Sequence, residues 1–398
     1  MMRSRQSNIF PVALGLIAIG LFSFIWPLLR GRPEIAWQAY LVNFLLFSAI
    51  AQGAVVFSAM MNTVRAVWSR RLANLAEAFA AFFPLSLLLF LGLFWGREYV
   101  FPWLHHDLHG KEIWLNLPFL FSRNLVGLLI LYGLGFAYLY YSLWFKVGSN
   151  SSASALRTRL ARLWHRAGPD TAKYEHRRYV FGVLYLLAFA VVLSLVGYDL
   201  VMAAEPHWYS TLFGAYTFIK AIYVGFGALI ILAAYLHLNH KEAFRLDSAE
   251  FLDMGRLFFA FCLAWADFFY CQLVVIWYGN ISEETAYVIT RTLMAPWNRI
   301  AWAVFIICFI LPFLLLLNRR IKTVPRAMMI LCSLVLVGMW LEHYLLLGPA
   351  LSGHTAGFPV APVEVGVGLG FLGLMMAAVF SYLHQFPEML ESGGNASE

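Results

Sequence analysis

Eight charged residues stand inside or at the edges of otherwise apolar stretches of this chain: Glu77, Arg123, Asp199, Lys220, Asp267, Arg299, Glu342 and Glu364. A charge in hydrocarbon costs at least ~2.5–3.5 kcal/mol on insertion scales, so each needs an interface, a counter-charge or a chemical task. Arg123, Arg299, Glu342 and Glu364 fall near the ends of their runs, where a side chain can reach an interface. Glu77 sits about a turn inside its run, and a structural ion pair explains it as well as proton entry does. Lys220 is harder to dismiss, lying some ~15 Å deep at 1.5 Å per residue, with Asp267 at similar depth in the next run. A Lys220–Asp267 pair would neutralise both charges, either as a structural bridge or as a proton relay.

Asp199 is followed by a short stretch that holds Glu205, His207, Trp208 and Tyr209. Two carboxylates, one imidazole and two aromatics suit quinol oxidation, because a quinol must shed two protons and an imidazole titrates near neutrality. The competing reading is an interfacial aromatic belt with a helix cap.

Other chemistries lack their residues. Cys262, Cys271, Cys308 and Cys332 all lie in apolar runs and form no CxxC or CxxCH, so covalent haem c, zinc and iron–sulfur clusters have no support, and small buried hydrophobes are the expectation. His237 and His240 have no matching histidine on a facing helix for haem b. There is no P-loop. The glycines of Gly366–Gly373 lie inside an apolar run and suit close helix packing.

The elements that must position these groups follow from composition. Hydrophobic residues make up 62% and charged residues 12% of 398, against about 25% charged in a soluble domain. A span needs about 20 apolar residues. Ten runs qualify: Ile9–Leu29, Trp37–Met61, Ala73–Phe94, Phe119–Phe145, Tyr179–Val201, Thr211–Leu238, Gly255–Tyr278, Asn298–Leu317, Ala327–Leu347 and Val363–His384. The first follows Arg3 and Arg5 without an A-x-A-like site and is read as a helix, not a cleaved leader. The expectation is an all-α integral membrane protein. Spans occupy 1–145 (helices 1–4) and 179–385 (helices 5–10), around a basic loop at 146–178, with a tail at 386–398.

The net charge of +7 reflects topology rather than nucleic acid. Twenty Lys and Arg fall on the side of the two termini, five on the other and three within spans. That asymmetry predicts cytoplasmic termini. In the long loop Gly148–Ser152 reads as flexible. Ala155–His165 reads as a basic amphipathic helix on anionic headgroups. Gly96–Asn116, with Trp103, His105, His106 and His109, reads as an interfacial loop on the periplasmic side.

Three stretches carry a resemblance. Tyr198–Gly214 (YDLVMAAEPHWYSTLFG), then Gln272–Thr285 (QLVVIWYGNISEET) followed by Arg291, then Pro296-Trp297 with Leu311–Leu317 (LPFLLLL), Arg319 and Lys322, resemble NrfD-like membrane subunits of bacterial alternative complex III. Ser282 stands where that family typically has Pro. Helices 1–4 match through topology, length and Arg123. The length resembles the quinone-binding subunit 2 type.

The resemblance implies two four-helix bundles, helices 2–5 and 6–9, flanked by helices 1 and 10. It implies a subunit of a quinol:cytochrome c (or other electron-acceptor) oxidoreductase in the bacterial cytoplasmic membrane, with no redox centre of its own. Its partners would be a second NrfD-like subunit, an iron–sulfur subunit and c-type cytochromes carrying haem c. Asp199, His207 and Asp267 would face a menaquinone or ubiquinone. Glu77, Lys220, Asp267 and Glu205 would serve a proton path, and Arg123 and Arg291 would hold carboxylates. A proton- or ion-coupled transporter is the second reading, cued by Pro84 and Pro312 in helices 3 and 8. A purely structural anchor is the third.

Overall fold

The computed structural model describes residues 9–105, 108, 110–146, 155–167, 170–352 and 362–390. Arg3, Arg5, His106, His109, the Gly148–Ser152 stretch, the end of the tail from 391 and the His105 side chain lie outside the described residues. Within them the chain is helical, without a strand. Ten helices are long and apolar enough to cross a membrane: α1 Ile9–Leu29, α2 Pro33–Thr63, α3 Arg70–Gly92, α4 Leu117–Trp144, α5 Thr171–Leu200, α6 Phe213–Asn239, α7 Ser248–Gly279, α8 Trp297–Leu317, α9 Pro325–Ser352 and α10 Pro362–Gln385. The fold is all-α and of the membrane-spanning type. With ten crossings, α1 begins and α10 ends on one side, here called the terminal side; the opposite is the far side.

Several helices outrun their apolar cores, because caps and not hydropathy set helix ends. Asp170 accepts from the Lys173 backbone N–H, so α5 starts at Thr171 and Tyr174–Arg178 belong to it rather than to the basic loop. Asp247 and Glu250 form a capping box that starts α7 at Ser248.

Helix ends also differ in one informative way. At α1 the Arg32 N–H reaches the Pro27 carbonyl and Gly31 takes the left-handed position, φ +70°. At α2 the same motif recurs, with Ala66 N–H on the Met61 carbonyl and Arg65 N–H on that of Asn62. Here the left-handed residue is Arg65, φ +54°, where glycine is the usual occupant.

The spans close into two rings. In the first, α2 packs on α3 and α5, α3 on α4, and α4 on α5; in the second, α6 packs on α7 and α9, α7 on α8, and α8 on α9. The rings join mainly through α2 against α6, with α5 and α9 completing the seam. α1 and α10 run antiparallel beside them, with Ser23 against Gly366, Gly20 against Gly370 and Ala13 against Gly373. Small residues let these backbones approach.

Two spans are interrupted. α3 passes through a 3-10 stretch, Glu77–Phe82, just before Pro84, and α8 through a π turn, Ile306–Ile310, just before Pro312. Proline supplies no N–H, which loosens the turn before it. α3 is the second helix of its ring and α8 the third of its own, so the breaks do not correspond between halves. The transporter cue needed corresponding breaks.

Among the described residues, two further helices longer than two turns do not span. Ala155–Ala167 lies at the terminal side, held by a buried Arg157 that pairs with Glu388 and by Trp164 against Tyr140, with Arg159 and Arg162 exposed. Ser282–Thr292, between α7 and α8, is amphipathic and was not foreseen from the apolar runs.

Candidate functional site

At the far side, α4 presents Arg123 and Asn124, and α5 ends with Asp199. The carboxylate is fully buried and takes four hydrogen bonds. Arg123 Nε donates to Oδ2 at 2.7 Å and Nη2 to Oδ1 at 2.6 Å; Asn124 Nδ2 donates to Oδ2 at 2.6 Å and Trp114 Nε1 to Oδ1 at 3.1 Å. The guanidinium also stacks on the Trp114 ring at 3.9 Å and reaches its carbonyl. A forked guanidinium on a carboxylate is a strong, directional pairing that fixes the geometry of both side chains. The expected Asp199–His207 pair is not formed: His207 lies exposed in the loop, which turns outward after Glu205. The reason is that Arg123, within the first two turns of α4, together with Asn124 and Trp114 already occupies the Asp199 carboxylate.

A second arginine works nearby. Arg291, buried on the Ser282–Thr292 helix, donates to Glu205 Oε1 at 3.2 Å and to the Leu346 carbonyl of α9 at 2.7 Å. Its guanidinium lies 3.6 Å from the Tyr287 ring centre, and Tyr287 stacks on Trp208 at 3.8 Å, nearly parallel. Burial pushes the Tyr287 hydroxyl up, against the pull of Arg291. The stretch around Glu205 is thus pinned by Asp199, Glu205 and Trp208, leaving His207 and Tyr209 exposed.

In the second ring Lys220 does not meet Asp267. Its Nζ donates to Glu342 Oε2 of α9 at 2.9 Å, with both side chains almost wholly buried, and His343 stands 3.8 Å from the same oxygen. Glu342, expected near an interface, is the true counter-charge. α6 packs on α9 closely, and helical phase turns Lys220 that way rather than toward α7.

Asp267 faces outward. It lies on the exposed face of α7, about 18 Å from the far-side end of that helix at 1.5 Å per residue, in an open groove of about 750 Å³. Trp265, Phe269, Tyr270, Phe305 and Phe309 line that groove. Trp265 also carries a buried indole N–H with no acceptor among the described residues.

In the first ring Glu77 Oε1 accepts from Ser58, from Ser142 at 2.6 Å and from Lys146 at 2.6 Å. Burial holds the Lys146 amine below the ordinary lysine range, against the pull of Glu77. Above Glu77 a hydroxyl and amide column continues between α2, α3, α4 and α5: Ser58 with Tyr138, Gln52 with Tyr185, Tyr132 with Ser86, and Ser86 with Ser48. Being uncharged, these groups leave a fainter trace in the sequence than the buried charges do. Their signal is the recurrence of Ser48, Gln52, Ser58 and Asn62 on one apolar helix.

Glu77, Lys220, Asp267 and Glu205 therefore occupy four separate places, and no two of them hydrogen-bond to each other among the described residues. Arg299 is exposed and Glu364 buried. No three His, Cys, Asp or Glu residues gather as a metal site among the described residues. No known family profile matches the chain, and no curated protein matches it.

Proposed function

We propose that the chain is a membrane-embedded subunit of a bacterial quinol-oxidising respiratory complex of the alternative complex III kind. The reading is supported by the three sequence stretches described above and by one structural observation, the outward carboxylate of Asp267 within an aromatic groove. A lipid-facing Asp is costly unless it has a ligand or partner. A hydroquinone arriving sideways from the bilayer offers a hydroxyl for Asp267 to accept and a ring to lie against Phe269 and Phe305. The unpartnered indole N–H of Trp265 suits a quinone oxygen. Menaquinone and ubiquinone share these features.

Asp267 would take the hydroquinone's two protons one after the other, and its two electrons would go to iron–sulfur and haem c centres supplied by partner subunits, beside a second NrfD-like chain. Asp199 acts as a structural carboxylate clasped by Arg123, and His207 stands at the water-facing end. The column above Glu77 lies in the other ring, with no hydrogen-bonded link to Asp267 among the described residues, and is a polar route separate from this groove. The excess of basic residues at the terminal side supports cytoplasmic termini.

Purification in mild detergent tests the proposal. Haem-bearing partners and a quinone should accompany the chain; recovery of a lone protein with neither would defeat it.

A further inference from the structure

At the terminal side, where α2 ends and α5 begins, a cleft of about 270 Å³ is lined by Arg65, His176 and Arg178, with one carboxylate, Glu175, among them. Glu175 pairs loosely with Arg65, at 3.6 Å, so positive charge remains in excess. The Arg178 guanidinium lies 4.5 Å from the Phe145 ring centre. A guanidinium held by its face still donates in its plane, and a planar fork matches a phosphate. Arg65 is the left-handed residue that ends α2, a position where glycine would rest without strain. A basic side chain is thereby projected at this rim at a cost to the helix end.

Below the cleft α5 turns apolar. Tyr179, Leu184, Leu187 and Val191 are all exposed, and the last three follow one another at helical spacing along a single stripe. A basic cleft that opens onto an exposed apolar stripe fits a molecule with an anionic head and acyl chains.

We infer that the Arg65–His176–Arg178 cleft binds the phosphodiester of an anionic phospholipid, with its chains laid along Leu184, Leu187 and Val191 of α5. The stripe favours a lipid over free phosphate, which would use the cleft alone. The inference requires no quinol and no partner subunit, so it stands or falls apart from the proposed function.

The test is native mass spectrometry of the full chain in detergent, titrated with dioleoylphosphatidylglycerol, dioleoylphosphatidylcholine or inorganic phosphate. Retention of phosphatidylglycerol over phosphatidylcholine is expected, falling about tenfold in Arg178→Ala, the size of one lost charged hydrogen bond. Arg65→Gly relieves the left-handed residue, so the fold should gain thermal stability while lipid retention falls; this variant excludes misfolding as the cause. Arg70→Ala, whose exposed arginine lies outside the cleft, should retain lipid as the parent does. Equal retention of the two lipids, displacement by millimolar phosphate, or an equal loss in Arg70→Ala would each overturn the inference.

Discussion

Gly53 of α2 and Gly225 of α6 meet backbone to backbone where the two rings join. A Cβ on Gly53 would fall 1.8 Å from the Ala221 carbonyl oxygen, and one on Gly225 would fall 2.4 Å from the Ala54 nitrogen. Neither obstacle is a side chain that can swing away, so the rings are held at a distance only glycine permits.

Gly53→Ala should therefore part α2 from α6 and cost about 3 kcal/mol, the upper range for overpacking. Gly15→Ala, with nothing within 4 Å of the added methyl, is the control. Thermal unfolding of the detergent-solubilised chain compares them, and similar melting of both variants would remove the glycine contact as the lock.

The Arg123–Asp199 fork should behave as one unit. Either Arg123→Gln or Asp199→Asn leaves a buried group unpaired and should cost about 3–5 kcal/mol. The double variant should cost well under the sum, because residues in one network couple. A double-mutant cycle on thermal stability measures that coupling; strict additivity would mean that the two side chains act separately.

Asp267→Asn should leave stability within about 0.5 kcal/mol, as for an exposed substitution. In the assembled complex the same change should lower quinol turnover by about 100-fold, the lower range for a lost proton acceptor. Unchanged turnover would separate the groove from the chemistry.

Lys146 provides a pH dependence. Its folded-state pKa is lowered by burial, so between that value and the ordinary lysine range the unfolded chain holds the extra proton. Stability from this group then rises as pH rises through that alkaline window. Melting temperature of the parent relative to Lys146→Met should climb with pH there; a flat difference would show that Lys146 keeps its proton.

The spans were legible because hydrocarbon demands long apolar runs, and α1 was placed residue for residue. Helix ends were less so, since the Asp170 and Asp247 caps lie outside the apolar runs. The Ser282–Thr292 helix escaped notice because it is short and half polar. Charges could be located by depth but not by direction. Depth alone put Lys220 with Asp267, whereas helical phase sends Lys220 to Glu342 and turns Asp267 outward. Arginine was easier to interpret, since Arg123 and Arg291 each meet a carboxylate near the far side.

The antiparallel seam between α1 and α10 bears on biogenesis. α1 finds its main neighbour in α10, with Gly20 meeting Gly370 although eight other spans separate them along the chain. Until α10 is synthesised, α1 keeps chiefly its smaller contact with α2. Docking of α1 therefore waits for α10, and a ribosome stalled before residue 362 would leave α1 loosely held in the bilayer.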